Sequence, residues 1–262
     1  MMKRLLLFVV LFMFCPVAAA SRDRGDFIPA SVAHYKFEDN TDSNTVLDSS
    51  GNDYHGTSIR NTSLMHVAGQ IGGALEFDGA ADYVDTGQAF KSTFQKDFSI
   101  SVWLEAADGH PATSKNIWGT AIGGVGKNRC NLTLLSNGRL QFYYIANVIL
   151  SGSSLESPVL LADGQETWHH VVCVVKQSSD VNTTLYIYFD GVLKAEKDIS
   201  NIMSGYVNDY NLSLGNTNSA GVPEAGFYLD GSLDDFMIFN KALTADEIEA
   251  LYESVKGVRR DR

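Results

Sequence analysis

Two acidic segments of the chain carry side chains that could bind a hard divalent cation. One segment follows the first predicted strand, and the other opens the last predicted strand. Calcium takes about six to eight oxygen ligands from carboxylates, amides, backbone carbonyls and water, so we expect a structural calcium ion. Turn-forming or solvated carboxylates are the alternative interpretation of the same residues. The expected ligands are Asp39, Asp48, Asn52, Asp53 and Asp234.

Trp118 and Tyr143 are the aromatic side chains that could stack on a sugar ring. Tyr143 and Tyr144 point to opposite faces of a predicted strand, so only one of them can line a concave surface. Trp103 and Trp168 lie within regular strand alternation, which indicates core packing. Core packing is also the alternative role for the two candidate ligand contacts.

The histidines and glycines do not form the motifs of other chemistries. His169 and His170 are adjacent on a predicted strand, so they face opposite sides and cannot both reach one metal ion. The segment Gly123-Gly124-Val125-Gly126 lacks the Lys-Ser/Thr pair and the following helix of a phosphate-binding loop. The sequence also contains no nucleophilic serine elbow.

The composition indicates an acidic globular protein. The 262 residues include 31 acidic and 20 basic side chains, giving a net charge of −11, and 45% of the residues are apolar. This is enough apolar material for a packed core. Nucleic acid and anionic membrane surfaces are not expected as partners, because neither gains Coulomb energy from an acidic surface.

The N-terminus has the pattern of a secretory signal peptide. Lys3 and Arg4 precede an apolar run over residues 5–14, and small alanines follow it. We therefore expect residues 1–20 to be a signal peptide, residues 21–30 to be a linker, and the protein to be secreted, either periplasmic or extracellular. No second apolar run is long enough to span a membrane, so no membrane span is expected in the mature chain.

Cys130 and Cys173 are the cysteines that remain after this processing. In an oxidising compartment they could form one disulfide, provided that their two predicted strands are neighbours. Two buried free thiols are the alternative. The sequence leaves both open, because it gives no distance between the sulfur atoms.

Short β runs alternate with turn dipeptides along most of the chain. Asn137-Gly138 and Asp190-Gly191 each separate two such runs, and they favour the positive φ angles that tight hairpins need. Regular strands with almost no helix indicate an all-β, antiparallel two-sheet sandwich in one domain. The predicted strands are Val32–Phe37, Ala74–Phe77, Phe98–Leu104, Asn131–Leu135, Leu140–Ile145, Trp168–Val175, Leu185–Phe189, Asn211–Leu214 and Ser232–Phe239.

One helix is predicted near the C-terminus. Thr244 and Glu247 form a capping box, an apolar stripe at helical spacing follows, and Gly257 is the expected stop. Residues 255–262 are expected to be a basic tail. The stripe consists of Ile248, Leu251, Tyr252 and Val255.

Eight short motifs follow one another along the chain: His34-Tyr-Lys-Phe-Glu-Asp39, Asp48-Ser-Ser-Gly-Asn52 with His55-Gly56, Gly73-Ala-Leu-Glu-Phe-Asp-Gly79, Asp82-Tyr-Val84, Phe98-Ser-Ile-Ser-Val-Trp103, Trp168-His-His-Val171, Leu185-Tyr-Ile-Tyr-Phe-Asp-Gly191 and Gly231-Ser-Leu-Asp-Asp-Phe-Met-Ile-Phe-Asn-Lys-Ala-Leu243. In this order they resemble a laminin-G-like jelly-roll domain of the concanavalin A-like lectin/glucanase superfamily. The resemblance covers residues 31–254. It implies a two-sheet antiparallel jelly roll with a short C-terminal helix.

The resemblance also implies that the two acidic segments meet, because the first and last strands of related jelly rolls run side by side. Asp234 and Asp235 then point to opposite faces of the last strand. Asp234 shares its face with the apolar Phe236 and Ile238, so we expect Asp234 to be the inward-facing cation ligand.

Finally, the resemblance implies a choice between binding and hydrolysis. Sandwich glucanases of this superfamily carry Glu-x-Asp-x-(x)-Glu on one strand, where a period of two places alternate carboxylates on one face. Glu76-Phe-Asp78 and Glu196-Lys-Asp198 supply the first pair, and the third carboxylate is missing in both. We therefore expect no enzyme activity, but a secreted binding module for extracellular carbohydrate that is stabilised by calcium. The alternatives are a protein–protein adhesion domain without sugar binding and a divergent glycoside hydrolase.

Overall fold

The structure is a computed structural model of the chain. It describes residues 29–120, 128–146, 153–200, 203–219 and 222–258. The predicted signal peptide, most of the predicted linker, the glycine segment at 123–126 and the end of the basic tail lie outside these ranges.

The described residues form short strands and two helices. The strands are β1 (Ala33–Tyr35), β2 (Thr45–Val46), β3 (Gly56–Ser58), β4 (His66–Ala68), β5 (Gly73–Asp78), β6 (Val84–Asp85), β7 (Phe98–Ala106), β8 (Lys115–Gly119), β9 (Arg129–Leu134), β10 (Arg139–Ile145), β11 (Ser154–Val159), β12 (His169–Gln177), β13 (Asn182–Phe189), β14 (Val192–Ser200), β15 (Ser213–Leu214), β16 (Asn218–Ser219), β17 (Val222–Pro223) and β18 (Asp230–Phe239). The helices are α1 (Lys91–Phe94) and α2 (Ala245–Val258), with single 3-10 turns at Thr62–Leu64 and Met203–Gly205.

Two antiparallel sheets contain almost all of these strands. Sheet A has eight strands in the order β14-β13-β12-β7-β18-β5-β4, with β1 paired to β18. Sheet B also has eight strands, in the order β11-β10-β9-β8-β15-β6-β3-β2, and β16 and β17 form a separate hairpin. This architecture confirms the predicted all-β jelly-roll sandwich.

The two sheets enclose one large apolar core. Because side chains alternate along a strand, each strand contributes every second residue to this core. Strand β10 buries Leu140, Phe142 and Tyr144, and it leaves Gln141 and Tyr143 on the outer face of sheet B. The remaining residues of each strand therefore point to the outer face of its sheet.

The last strand, β18, lies at the centre of sheet A. It pairs with β7 on one side, and with β5 and β1 on the other. The first and last strands are thus side by side, which confirms the arrangement that the resemblance implied.

A bulge in β18 changes which residues face the core. The pairing register shifts between Asp234 and Met237, so Leu233 and Phe236 both point into the core although they are three positions apart. Asp234 pairs with Trp103 and lies on the outer face of sheet A. The predicted inward direction of Asp234 is therefore wrong, because the bulge inserts an extra residue between it and Phe236.

Helix α2 covers part of the outer face of sheet A. Its residues Ile248 and Leu251 pack in a second apolar cluster with Val172, Val174 and Phe239 of the sheet. This packing buries the apolar stripe that the sequence predicted.

The N-terminus of α2 has the predicted capping box. The Thr244 N–H donates to Glu247 Oε2 at 2.9 Å, and the Glu247 N–H donates to Thr244 Oγ1 at 3.3 Å. The helix extends to Val258, so it passes the predicted stop at Gly257.

Candidate functional site

The outer face of sheet B carries an aromatic ring with a cation above it. Tyr143 lies on β10, half-buried, and the guanidinium carbon of Arg129 on β9 lies 3.6 Å from the centroid of its ring. This is a cation–π contact. Tyr143 pairs with Asn131, and Arg129 pairs with Ile145, so the two side chains are diagonal neighbours on one face.

Arg129 has no acidic partner within the described part of the chain. Its side chain forms no ion pair and no hydrogen bond with these residues, and its Nε atom is buried without a hydrogen-bond acceptor. A buried donor without an acceptor costs free energy. Nε itself is closed to solvent, so a ligand would contact Arg129 through the rest of its half-buried side chain.

Neutral hydrogen-bonding side chains continue this face towards β8. Asn131 Nδ2 donates to Thr133 Oγ1 at 3.0 Å, and Thr133 Oγ1 donates to Asn116 Oδ1 at 3.0 Å. Asn116 Nδ2 donates to Thr217 Oγ1 at 2.9 Å and to Glu224 Oε2 at 3.3 Å. Amide and hydroxyl groups therefore surround the cation–π pair on the side of β8.

Trp118, the other aromatic candidate, lies in the core. Its side chain is 0% exposed, and its ring packs against Phe142 and Phe236 with centroid separations of 5.9 and 6.5 Å. A bulge between Asn116 and Trp118 breaks the alternation of β8, so that Ile117 and Trp118 are both buried. An external sugar cannot reach this ring, so the structure does not support Trp118 as a ligand contact.

A groove opens between the N-terminal strand and α1. It has two adjoining compartments of about 500 Å³ and 430 Å³, and both are lined by Val32, Tyr54, Ser92 and Thr93. Tyr54 packs edge-on against Phe90, with the ring centroids 5.6 Å apart. No local sequence pattern indicates this groove, because its walls come from segments far apart in the chain.

Asp234 is fully buried, and one of its carboxyl oxygens has no partner. Oδ2 accepts the Ile71 N–H at 2.7 Å, whereas Oδ1 is buried without a hydrogen bond. Burial, with a smaller contribution from the nearby Asp235 and Glu38, raises the pKa of Asp234 to about 8. A bound cation would favour the charged form of such a carboxyl group.

Glu38 is an acidic neighbour of Asp234 that is not among the predicted cation ligands. Its Oε2 accepts the Gly73 N–H at 3.0 Å, which holds Glu38 against the loop that also contacts Asp234. A Cβ atom on Gly69 would lie 2.7 Å from Asp234 Oδ2 and would also clash with the Gly73 carbonyl oxygen. The loop backbone therefore approaches Asp234 closely through Gly69, where the Gly73 carbonyl oxygen also lies. Carboxylates and backbone carbonyls are ligand types that calcium takes.

Asp48, another predicted cation ligand, is saturated by local hydrogen bonds. Its two oxygens accept the backbone N–H groups of His34, Ser50 and Tyr54 and the Ser50 hydroxyl. Partial burial raises the pKa of Asp48, but these hydrogen bonds outweigh it and hold the pKa below its ordinary value. Asp48 therefore closes a turn beside β1.

The remaining predicted ligands do not converge on Asp234. Asp39 accepts the Leu47 N–H at 3.3 Å, Asn52 Nδ2 donates to the Val32 carbonyl at 2.9 Å, and the Asp53 side chain is 91% exposed. In the described ranges, no group of three or more His, Cys, Asp or Glu side chains is arranged to hold a metal ion. The predicted five-residue cluster is not assembled in the structure.

Cys130 and Cys173 are separate, buried thiols. Cys130 lies on β9 of sheet B and Cys173 on β12 of sheet A, so their strands are not paired neighbours. Burial raises the pKa of both thiols well above the ordinary value, which keeps them protonated. The structure thus contains the free-thiol alternative, and the disulfide considered from the sequence is not formed.

The adjacent histidines of β12 have different environments. His169 is half-buried, whereas His170 is fully buried on the outer face of sheet A. The His170 ring packs against Trp103 and Tyr252, and its Nε2 lies 2.8 Å from Ser101 Oγ. Burial lowers the pKa of His170 to about 4, so its ring is neutral in the folded protein at pH 7.

The carboxylate pairs considered for hydrolysis have other environments. Asp78 Oδ1 accepts the backbone N–H groups of residues 80–82 and closes the turn after β5. Glu196 and Asp198 are exposed on β14, which is the edge strand of sheet A. Neither pair lies in the groove or beside the cation–π pair.

Comparison with protein families identifies the superfamily of this chain. A laminin G family model, described as concanavalin A-like lectin/glucanases superfamily, matches residues 78–249. The chain therefore belongs to the concanavalin A-like lectin/glucanases superfamily. The strands before residue 78 belong to the same sandwich, because β1 pairs with β18.

One curated relative and two solved structures show the range of similar proteins. The chain is 25% identical over 228 residues to the non-toxic nonhemagglutinin type E of Clostridium botulinum, and the match spans 86% of this chain and 17% of that protein. The CBM40 domain of the Ruminococcus gnavus IT-sialidase, bound to alpha2,3 sialyllactose, superposes with a TM-score of 0.54 and 14% identity over 68% of this chain and 96% of that domain. The binding domain of botulinum neurotoxin DC, in complex with rat synaptotagmin II, superposes with a TM-score of 0.58 and 16% identity over 86% of this chain and 52% of that one. These structural similarities are evidence of a shared fold.

The helices give no indication of a membrane anchor in the described ranges, since neither of them has the length and apolar character needed to cross a bilayer.

Proposed function

We propose that this chain is a noncatalytic binding module that recognises extracellular carbohydrate. The observation that carries the proposal is the Arg129 guanidinium above Tyr143, which lacks an acidic partner among the described residues. Neutral amide and hydroxyl groups continue the same face. A partly exposed aromatic ring with a cation above it suits the apolar face of a sugar ring and its hydroxyls, and the buried amide and hydroxyl network beside it holds the face in place.

The similar proteins support a binding role. One is a carbohydrate-binding module with sialyllactose, and another is a toxin binding domain in complex with a protein. We place carbohydrate first because the candidate face is polar, whereas stable protein interfaces have an apolar centre. An extracellular location fits this ligand class and the signal-like N-terminus.

Catalysis receives no support from the candidate face. Retaining hydrolysis needs two carboxylates about 5 Å apart across the scissile bond. Asp78 is engaged in a turn, and Glu196 and Asp198 lie exposed on an edge strand. We therefore propose that the chain binds saccharides without cleaving them.

A glycan array probed with the full-length chain tests this function. We expect saturable binding to a defined set of glycans, with no release of reducing ends during the same incubation. Release of reducing ends would instead support the hydrolase alternative. Binding to no glycan would contradict the proposal and favour the protein–protein adhesion alternative.

Variants of the candidate face connect the binding to the proposed residues. We expect Tyr143→Ala and Arg129→Gln each to weaken glycan binding about tenfold, because each removes one half of the cation–π pair. Lys176→Gln is the control, since it also removes one positive charge but lies on sheet A. Equal losses in Arg129→Gln and Lys176→Gln would mean that net charge, and not this face, determines binding.

We further propose that calcium stabilises the domain at Asp234 and Glu38. The supporting observation is the buried Oδ1 of Asp234, which has no hydrogen-bond partner, while its Oδ2 lies against the loop at Gly69 and Ile71. Bound calcium would provide the missing partner, with carbonyl oxygens of the loop as further ligands. This proposal keeps Asp234 from the predicted set and adds Glu38.

Thermal melting in a calcium titration tests this site. Millimolar calcium should raise the melting temperature of the wild-type chain by about 5 °C. Asp234→Asn should remove this rise, and Asp53→Asn, which changes an exposed side chain, should keep it. The absence of a rise in the wild type would contradict calcium binding. Loss of the rise in Asp53→Asn, with its retention in Asp234→Asn, would contradict the proposed site and favour the expected ligands that follow β1, Asp39, Asp48, Asn52 and Asp53.

A further inference from the structure

We infer that the groove between the N-terminal strand and α1 is a second binding site, for a saccharide that carries a carboxylate or a sulfate group. None of its lining residues belongs to β8, β9, β10 or β11. The groove is therefore separate from the outer face of sheet B, and the inference does not depend on that face.

The size of the groove suits a short saccharide. Its two compartments have volumes of about 500 Å³ and 430 Å³ and adjoin one another along Val32, Tyr54, Ser92 and Thr93. Small-molecule sites typically have volumes of roughly 300 to 1,000 Å³. Each compartment is thus large enough for part of a di- or trisaccharide.

The 500 Å³ compartment of the groove offers one aromatic ring, neutral polar groups and an ammonium group. The ring suits the apolar face of a sugar, and hydroxyl and amide groups suit its hydroxyls. These groups belong to Tyr54, Ser92, Thr93, Asn52, Asn240 and Lys96.

No Asp, Glu, His or Cys residue lines either compartment of the groove within the described ranges. The whole chain has 31 acidic residues and 20 basic ones, so a groove with lysines and without carboxylates differs from the rest of the surface. No described carboxylate lines the groove itself, and the adjacent Asp209 carboxylate is paired with Lys91, so little like charge opposes the binding of an anionic ligand. The lining also lacks the carboxylate pair that glycoside hydrolysis needs.

The two lysines of the groove differ in their partners. Lys91 Nζ donates to Asp209 Oδ1 at 2.8 Å, so its charge is already paired. The Lys96 ammonium forms no ion pair or hydrogen bond with any described residue, and the same is true of the Ser92 and Thr93 hydroxyls. Lys96 is therefore the group available to pair with a ligand carboxylate or sulfate.

The walls of the groove are held in place by contacts behind the lining. The Tyr35 hydroxyl donates to the Tyr54 carbonyl at 2.6 Å, and Asn52 Nδ2 donates to the Val32 carbonyl at 2.9 Å. On the other side, Gln95 Nε2 donates to the Tyr206 carbonyl at 2.7 Å. A ligand would bind to a largely preformed site, which reduces the entropy lost on binding.

Three lactose derivatives test the ligand class. Lactose, 3′-sialyllactose and 3′-sulfolactose share one disaccharide and differ in carrying no anion, a carboxylate or a sulfate. NMR titration of the ¹⁵N-labelled full chain reads the groove directly through the amide signals of Tyr54, Ser92 and Lys96. We expect saturable shifts of these signals, with at least fivefold higher affinity for one or both anionic sugars than for lactose. The preferred derivative identifies the anion.

Variants then assign the binding energy to the groove. Lys96→Gln should lower the affinity for the anionic sugar about fivefold and leave the affinity for lactose unchanged, while Ser92→Ala should lower both affinities about twofold. Lys194→Gln is the charge control, because Lys194 is an exposed residue of the edge strand β14. Arg129→Gln should leave the groove titration unchanged.

The inference and the proposed function fail in different ways. Equal affinity for all three sugars, no shift at the groove amides, or an unchanged affinity in Lys96→Gln would each overturn the groove as an anionic saccharide site. Glycan binding that is lost in Arg129→Gln but not in Lys96→Gln would retain the proposed function and reject the groove. Saturable shifts of the groove amide signals, together with array binding that Arg129→Gln and Tyr143→Ala leave unchanged, would retain the groove and reject the proposed role of the sheet B face.

Discussion

The two outer faces of the sandwich have opposite chemistry although they arise from the same strand alternation. On sheet A, apolar outward side chains of β12, β13 and β18 pack with α2 in a second cluster, beside the buried His170. On sheet B the outward side chains of β9 and β10 are polar, with the Arg129 and Tyr143 pair among them. The covered apolar residues are Val172, Val174, Tyr188, Met237, Phe239, Leu243, Ile248 and Leu251.

This difference separates stability from recognition. Burial of apolar area is the main favourable term in folding, so the covered face of sheet A adds a second core to the domain. The polar face of sheet B adds little to that term, and the half-buried Arg129, Gln141 and Tyr143 remain partly accessible to a ligand. A substitution should therefore affect unfolding on one face and binding on the other.

The largest expected effect is on the covered face. Ile248→Ala removes a fully buried side chain from the second core, and it should lower the free energy of unfolding by about 2–5 kcal/mol. Gln141→Ala, on the open face of sheet B, should change it by less than about 1 kcal/mol. Urea denaturation at pH 7 measures both values. Similar losses in the two variants would mean that the faces do not differ in their contribution to folding.

A smaller effect concerns the pH dependence of the covered face. His170 lies there beside Trp103 and Tyr252, and the charged groups that act on it are Asp190 and Asp235. Its pKa is lowered to about 4 from an ordinary value of about 6.5. The neutral ring therefore stabilises the fold above pH 6.5, and this contribution is lost as the pH falls towards 4. It amounts to roughly 3 kcal/mol at most.

Comparison of His170→Phe with the wild type measures this contribution. The variant keeps an aromatic ring in the stack but cannot be protonated, so its unfolding free energy should fall less steeply between pH 6.5 and pH 4. Loss of the Ser101 contact would lower the unfolding free energy of the variant by the same amount at every pH. Parallel curves for the two proteins would show that protonation of His170 does not weaken the covered face.

Local signals in the sequence predicted nine of the eighteen described strands and the longer helix. The hairpin turns at Asn137-Gly138 and Asp190-Gly191 connect paired strands, with positive φ at Gly138, Asp190 and Gly191. The capping box of α2 forms as expected, because its contacts lie within four residues of each other. All nine predicted strands have a counterpart, whereas strands of two or three residues such as β2 and β3 are too short to show alternation.

Bulges explain two of the errors at the candidate sites. An inserted residue reverses the facing of every side chain that follows it, and sequence alternation alone does not reveal where the insertion lies. The bulge in β18 turns Asp234 to the outer face, and the bulge in β8 buries Trp118 in the core. The residue type at each position is visible in the sequence, whereas its facing depends on a bulge that the sequence does not show.

Long-range packing explains what the sequence could not supply. Glu38 meets Asp234 through a loop that follows it by more than 30 residues, and the groove joins Val32, Tyr54, Ser92 and Asn240. No local pattern links such positions. Tyr143 could be selected from its alternation, but its partner Arg129 depends on the register between two strands.

The central position of β18 has a consequence for biosynthesis. Sheet A cannot close until a strand that ends at Phe239 has been synthesised, because β7 and β5 pair with that strand and not with each other. A nascent chain that stops before residue 230 would expose two unpaired strand edges, which are templates for aggregation. Pairing of sheet A is thus delayed until the segment through Phe239 has left the ribosome.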